Sequence, residues 1–310
     1  MFQAFQASPS PEHLGWTLDQ RDPDYIRSLM PLWDWAYHHY FRVNTAGWEN
    51  ITLEQPVLFV GSHNGGLAAP DMHMMMYDWF RRFGIDRPVY GLMHPRLHHG
   101  LPTIAEMAVK TGAVMAHPKM AIAALRSGAS VLVYPGGIHD VFRPYYQRNQ
   151  IRLEGNTAFI KLALREKTPI VPAISWGAHD SLIVLGDLYP LVNQLHQMGM
   201  PWLLGLDPEV CPLYLGLPWG IALGPLPNIP FPTKIYTRVL PAISFSWYGR
   251  DAANDRAYVY ECYETVRRAM QTALDQLIQE IQPPSPSQPE QVIQQMFNHL
   301  SNHLFKHSST

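Results

Sequence analysis

Only two of the 310 residues are cysteine, Cys211 and Cys262, and neither belongs to a Cys-x-x-Cys pair. Neither a disulfide framework nor a thiolate metal site is expected from them. Charge is scarce as well: charged residues are 15% of the chain and the formal net charge is −2. That leaves no broad basic face for a phosphate backbone and argues against nucleic-acid binding. A long unbroken apolar run is also missing. Val210 to Thr233 carries no charge, but Pro212, Pro218, Pro225, Pro227, Pro230 and Pro232 interrupt it, and a spanning helix cannot hold them. Leu188 to Leu206 is broken by Pro190, Asn193, Gln194, His196, Gln197 and Pro201 and is too polar to cross a bilayer. No signal-peptide pattern is seen. With 9 Trp and 15 Tyr, the expectation is a chain on the cytoplasmic face of a membrane, peripheral or monotopic.

Hydrophobic residues make up 47% of the chain, enough for one large domain with terminal extensions. Residues 1–49 read as an arm followed by an amphipathic helix from Tyr25 to Phe41, kinked or divided at Pro31. Residues 50–282 read as the main domain. There the apolar runs at 56–60, 88–93, 130–134 and 169–174 predict strands, and 71–83, 102–110 and 157–165 predict helices. This alternation predicts an α/β fold with a mostly parallel central sheet flanked by helices. A further strand is expected at 234–239 and a long helix from about Ala252 to Ile281. Residues 283–310 read as a proline-rich linker and a short amphipathic tail helix.

Two glycine loops stand where buried strands end. The first is Gly61-Ser62-His63-Asn64-Gly65-Gly66 and the second is Tyr134-Pro135-Gly136-Gly137-Ile138-His139-Asp140. Ligands in parallel α/β sheets bind outside the carboxyl ends of strands, so two such loops would face each other across one cleft. His63 is then placed to move a proton. Other chemistries lack their signatures: there is no Gly-x-Ser-x-Gly elbow and no His-Glu-x-x-His. His94 and His98 have i, i+4 spacing beside His99, but Pro95 disfavours a helix there. No metal site is expected.

The order of these segments resembles the lysophospholipid acyltransferase superfamily. Val60-Gly61-Ser62-His63, Gly112-Ala113-Val114, Tyr134-Pro135-Gly136-Gly137 and Pro169-Ile170-Val171-Pro172 match its four elements, and Asn156 to Leu164 matches the helix before the last. The resemblance implies a glycerol-3-phosphate acyltransferase-like fold over roughly residues 50–280. It implies an enzyme without a cofactor that moves a fatty acyl group from acyl-CoA or acyl carrier protein to a lipid alcohol, with His63 as base. The family's aspartate five residues after the histidine is replaced by Ala68; Asp71 is the nearest downstream carboxylate, with Asp140 and Asp180 as substitutes. The family's Glu-Gly-Thr-Arg is replaced by Gly136-Gly137-Ile138-His139, so the arginine that would clamp a phosphate is missing. The Pro-Gly-Gly form resembles members acting on neutral alcohols, such as type 2 diacylglycerol acyltransferases and phytyl ester synthases. Arg143 remains a candidate for meeting a phosphate. Expected substrate-binding residues are Asn64, Gly65, Gly66, Gly136, Gly137, His139 and Arg143, with backbone N–H groups near Gly136 and Gly137 as oxyanion donors. Met72, Met74, Met75, Met76 and the proline-rich segment are candidate walls for the acyl chain, with core packing as the alternative. A silent membrane-surface lipid-binding protein of the same fold is the alternative function.

Overall fold

A computed structural model of the chain describes residues 13–282 apart from 53, 96, 98–100, 203–204 and 206. The expected linker and tail helix, the first residues of the arm, and His98 and His99 lie outside the described residues. In chain order the elements are α1 (Pro23–Trp35), β1 (Asn44–Ala46), β2 (Leu58–Gly61), α2 (Pro70–Phe83), β3 (Val89–Met93), α3 (Pro102–Lys110), β4 (Ala113–Met115), α4 (Pro118–Arg126), β5 (Ser130–Val133) and α5 (Gly137–Val141). They continue with α6 (Ala158–Glu166), β6 (Ile170–Trp176), β7 (Ile183–Asp187), α7 (Tyr189–Gln197), β8 (Pro212–Gly216), β9 (Gly220–Leu223), β10 (Tyr236–Val239), α8 (Arg250–Asn254) and α9 (Arg256–Ile281).

The central sheet has the order β1-β10-β6-β2-β5-β3-β4. From β6 to β4 every neighbour is parallel, β10 runs antiparallel to β6, and β1 is parallel to β10. This is the α/β architecture the sequence pattern predicts, a mostly parallel sheet between helical layers. Its middle strands are continuous apolar runs because both faces are covered. On one face Leu58, Val60, Val131, Ile170 and Ile174 pack with residues of α4, α6 and α9. On the other, Phe59, Leu132 and Val171 meet Met75, Met76, Trp79 and Phe80 of α2. Met74 packs with Tyr37 and Tyr77, and the partly buried Met72 sits against the core, so the four methionines all take part in core packing.

Three departures from the sequence reading have local causes. Pro31 lies inside α1, which continues unbroken and runs on as one π-helical turn, Ala36–Tyr40. Pro31 and Arg27 are exposed, so water can satisfy the Arg27 carbonyl that lacks its helical donor. The expected helix from Ala252 is split because the Asp255 side chain accepts from Tyr258 N at 2.8 Å and starts α9 afresh. The proline-rich stretch holds two strands, β8 and β9, which with β7 form a separate antiparallel sheet. Its prolines stand at the first residue of β8 or in the turns outside the strands, where no ladder N–H is needed. The segment read as arm and helix also takes part in the core, since β1 pairs with β10 and Ile26 of α1 is fully buried. No helix among the described residues is long and apolar enough to cross a membrane.

Leu58→Ala at the centre of β2, a fully buried position, is expected to lower unfolding free energy by about 2–5 kcal/mol. Ile221→Ala, at a residue 74% exposed, is expected to change it by less than about 0.5 kcal/mol. Urea denaturation of both variants checks the assignment of core and surface.

Candidate active site

β2 and β5 are parallel neighbours, so the loops that leave their carboxyl ends rise side by side. Between His63 and α2 the chain must turn back on itself. Gly65, Gly66 and Ala69 do this with φ of 84°, 68° and 43°, and a Cβ on Gly65 would stand 2.6 Å from both Pro70 and Ser181. The result places the first turn of α2 beneath the histidine. His63 Nδ1 lies 3.3 Å from Asp71 Oδ1. A carboxylate only accepts, so the proton of the neutral ring sits on Nδ1 and Nε2 is left bare as a base. Asp71, buried at 1% exposure, is held in turn by the Asn64 Nδ2 donor at 3.3 Å and by Met72 N at 2.8 Å.

Asp71 is thus the carboxylate that reaches His63. The longer spacing is accommodated by the single 3-10 turn Gly66–Ala68 inserted before α2. Asp180 is placed 4.0 Å from Arg148, its carboxyl raised chiefly by burial. Asp140 is fully buried under the second loop, its carboxyl raised by burial despite the nearby Arg143 charge. A Cβ on Gly136 would meet the Asp140 carboxyl at 2.1 Å, so Gly136 gives way to a side chain.

Arg143 has a different role from the phosphate contact the sequence allows. It is 3% exposed, and each of its N–H groups has an acceptor within the protein. Nη1 donates to His63 O at 2.8 Å and Asp140 O at 2.9 Å, Nε to Gln147 O at 3.3 Å, and Nη2 to Arg148 O at 3.4 Å and to Asn64 Oδ1. Five donors are spent, so none is left for a substrate oxygen. This corrects the assignment of Arg143 and, with it, that of Asn64, whose amide links Arg143 to Asp71 rather than facing a ligand. Gly137 N–H is also engaged, donating to Tyr134 O at 3.1 Å, whereas Gly136 N–H has no acceptor among the described residues. His139 is exposed on α5.

Sequence reasoning passed over Tyr134. Its ring stacks on His63 with centroids 4.4 Å apart and planes at 27°, and burial raises its phenol well above the usual range. A Cβ on Gly61 would lie 2.3 Å from that ring. The signal was present as Gly61 opposite Tyr134, but reading it required knowing that β2 and β5 are neighbours. Two further histidines lie close. His73 Nδ1 is 3.0 Å from Ala69 O and 3.1 Å from Ala68 O, and burial lowers its pKa. His179 Nε2 is 2.9 Å from Arg143 O; burial, reinforced by the Arg143 charge, holds it well below the ordinary histidine range. Among the described residues no group of three or more His, Cys, Asp or Glu could hold a metal ion.

Residues 42–176, which run from just before β1 to the end of β6, match the model of a family described as Acyltransferase. Uncharacterized proteins of Mycobacterium tuberculosis H37Rv and Mycobacterium bovis are 27% identical over 263 residues, covering 83% of this chain and 68% of theirs. One of Mycobacterium leprae is 26% identical over 271 residues, covering 83% of this chain and 66% of its own. Among solved structures, the 1-acyl-sn-glycerophosphate (LPA) acyltransferase PlsC of Thermotoga maritima is 14% identical with a TM-score of 0.49, covering 82% of this chain and 80% of that one.

Arg143→Met is expected to leave the Asn64 amide oxygen and the His63 carbonyl without the donors that Arg143 supplies and to cost about 3–5 kcal/mol in urea denaturation. The depressed pKa of His179 sets a pH dependence. The unfolded chain takes up a proton below about pH 6.5 that the folded chain refuses, so stability falls as pH drops through that range, by up to about 1.4 kcal/mol per pH unit. Melting curves between pH 7.5 and 5.5 are expected to show a steeper decline for the wild type than for His179→Asn.

Proposed function

We propose that the protein transfers a fatty acyl group from a thioester, carried on CoA or acyl carrier protein, to the hydroxyl of a lipid alcohol, and that the acceptor is neutral. The observation that carries the chemistry is the His63 Nδ1 to Asp71 contact of 3.3 Å, which leaves Nε2 as base. Nε2 takes the proton of the acceptor hydroxyl while its oxygen attacks the thioester carbonyl. The tetrahedral intermediate collapses, the carbon–sulfur bond breaks, and the imidazolium returns the proton to the departing thiolate. No acyl-enzyme is required. The developing oxyanion needs a donor already in position, and the Gly136 N–H is the candidate, a kind of contribution worth about 3 kcal/mol. The preference for a neutral acceptor is supported by Arg143: its guanidinium, which donates to the His63 carbonyl at 2.8 Å, is turned inward, and a diacylglycerol or prenyl alcohol asks for no phosphate clamp.

Labelled acyl-CoA and acyl carrier protein, offered with a pool of neutral alcohols and lysophospholipids, should yield a neutral ester. His63→Ala should lower the rate by about 10²–10⁴-fold, and Asp71→Asn by less, through loss of the tautomer. Product that persists in His63→Ala would remove it as the base. A phospholipid as the product would overturn the neutral acceptor.

A further inference from the structure

An antiparallel sheet with one face on the core normally alternates apolar inward and polar outward. The β7–β8–β9 sheet does not. Its inner side buries Val184, Tyr214 and Ala222 against Val141 and Phe142. On the outer side Leu215 opposes Ile221 and Leu213 opposes Leu223 across the strands, and Leu215, Ile221 and Leu223 are 40%, 74% and 50% exposed. Leu217, Trp219 and Ile229 extend the patch and are exposed too. From Leu188 to Thr233 the only charged side chains are Asp207 and Glu209. A contiguous apolar surface of this kind marks an interaction site.

Its setting points to the occupant. The Asn228 amide, in the loop that follows β9, reaches the catalytic loop through Gly65 O and Ala68 N, each at 3.4 Å. The patch therefore adjoins the mouth of the site. At its other margin Tyr40 OH donates to Pro230 O at 2.7 Å and Ile235 N to Phe41 O at 3.0 Å, which brings the exposed cations Arg42 and Lys234 alongside. An apolar centre with a tryptophan and a cationic margin complements acyl chains below phosphate headgroups. We propose that the outer face of the β8–β9 hairpin docks the protein on a lipid bilayer, so that a lipid acceptor enters the site without crossing water. This rests on the acyl-transfer reading for its purpose, not for its geometry.

The full chain is sedimented with phosphatidylcholine vesicles, with and without phosphatidylglycerol, and compared with Trp219→Glu/Ile221→Glu and with Tyr260→Glu on α9 as a control. The wild type and Tyr260→Glu should pellet with the vesicles, and the double variant should bind at least about tenfold more weakly. Its melting midpoint and its transfer to a water-soluble short-chain alcohol should stay unchanged. Equal vesicle binding by the double variant overturns the proposal, as does a wild-type chain that ignores vesicles. So does a dimer that the double variant dissolves without any vesicle binding, which would make the face a contact between two copies. Hairpin-dependent binding with no transfer from any donor leaves the docking face standing and removes the acyl-transfer reading. Transfer with hairpin-independent binding does the reverse.

Discussion

Four side chains close a ring of hydrogen bonds around the two loops. Arg143 donates to the His63 carbonyl and to the Asn64 amide oxygen, Asn64 donates to Asp71, and Asp71 accepts from the His63 ring. The parallel sheet brings the ends of β2 and β5 together, but only to the precision of strand spacing. The ring fixes the histidine itself. Burying a guanidinium is costly, and burial lowers the Arg143 pKa accordingly; the cost is offset because every N–H finds an acceptor and Asp140 lies 3.9 Å away. A buried cation that anchors the base cannot also greet a substrate phosphate. The proposed neutral acceptor rests on where the arginine's donors go.

Much of the sheet was legible because its middle strands are buried on both faces and read as unbroken apolar runs. Val57 to Val60, Ser130 to Val133 and Ile170 to Ile174 needed no tertiary context. What depended on contacts between distant segments was not legible. The partner of His63 could not be chosen between Asp71, Asp140 and Asp180, because the answer lies in the left-handed turns at Gly65, Gly66 and Ala69, which spacing alone does not reveal. Arg143 was a candidate for meeting a phosphate, and only its five acceptors reveal that its donors are spent within the protein. Tyr134 was passed over because its meaning depends on the room left by Gly61 on the next strand.

The proline-rich stretch was misread for a related reason. Its prolines were used only to exclude a spanning helix, and no strands were assigned between them. Yet they sit at the start of β8 and in the turns, and the strands between them carry apolar residues on both faces. The scarcity of charge that argued against nucleic acid in the sequence becomes, in three dimensions, an apolar sheet face beside the catalytic loop.

The account turns on the Asp71 carboxylate holding the His63 proton on Nδ1, and a nitrogen-15 spectrum of the histidine side chains, with His63 assigned by substitution, tests it most directly. Under conditions where the ring is neutral, His63 should carry its proton on Nδ1 with Nε2 bare, and Asp71→Asn should abolish that bias. A wild-type His63 protonated on Nε2 would contradict the account, since the ring would then have no base to offer the acceptor.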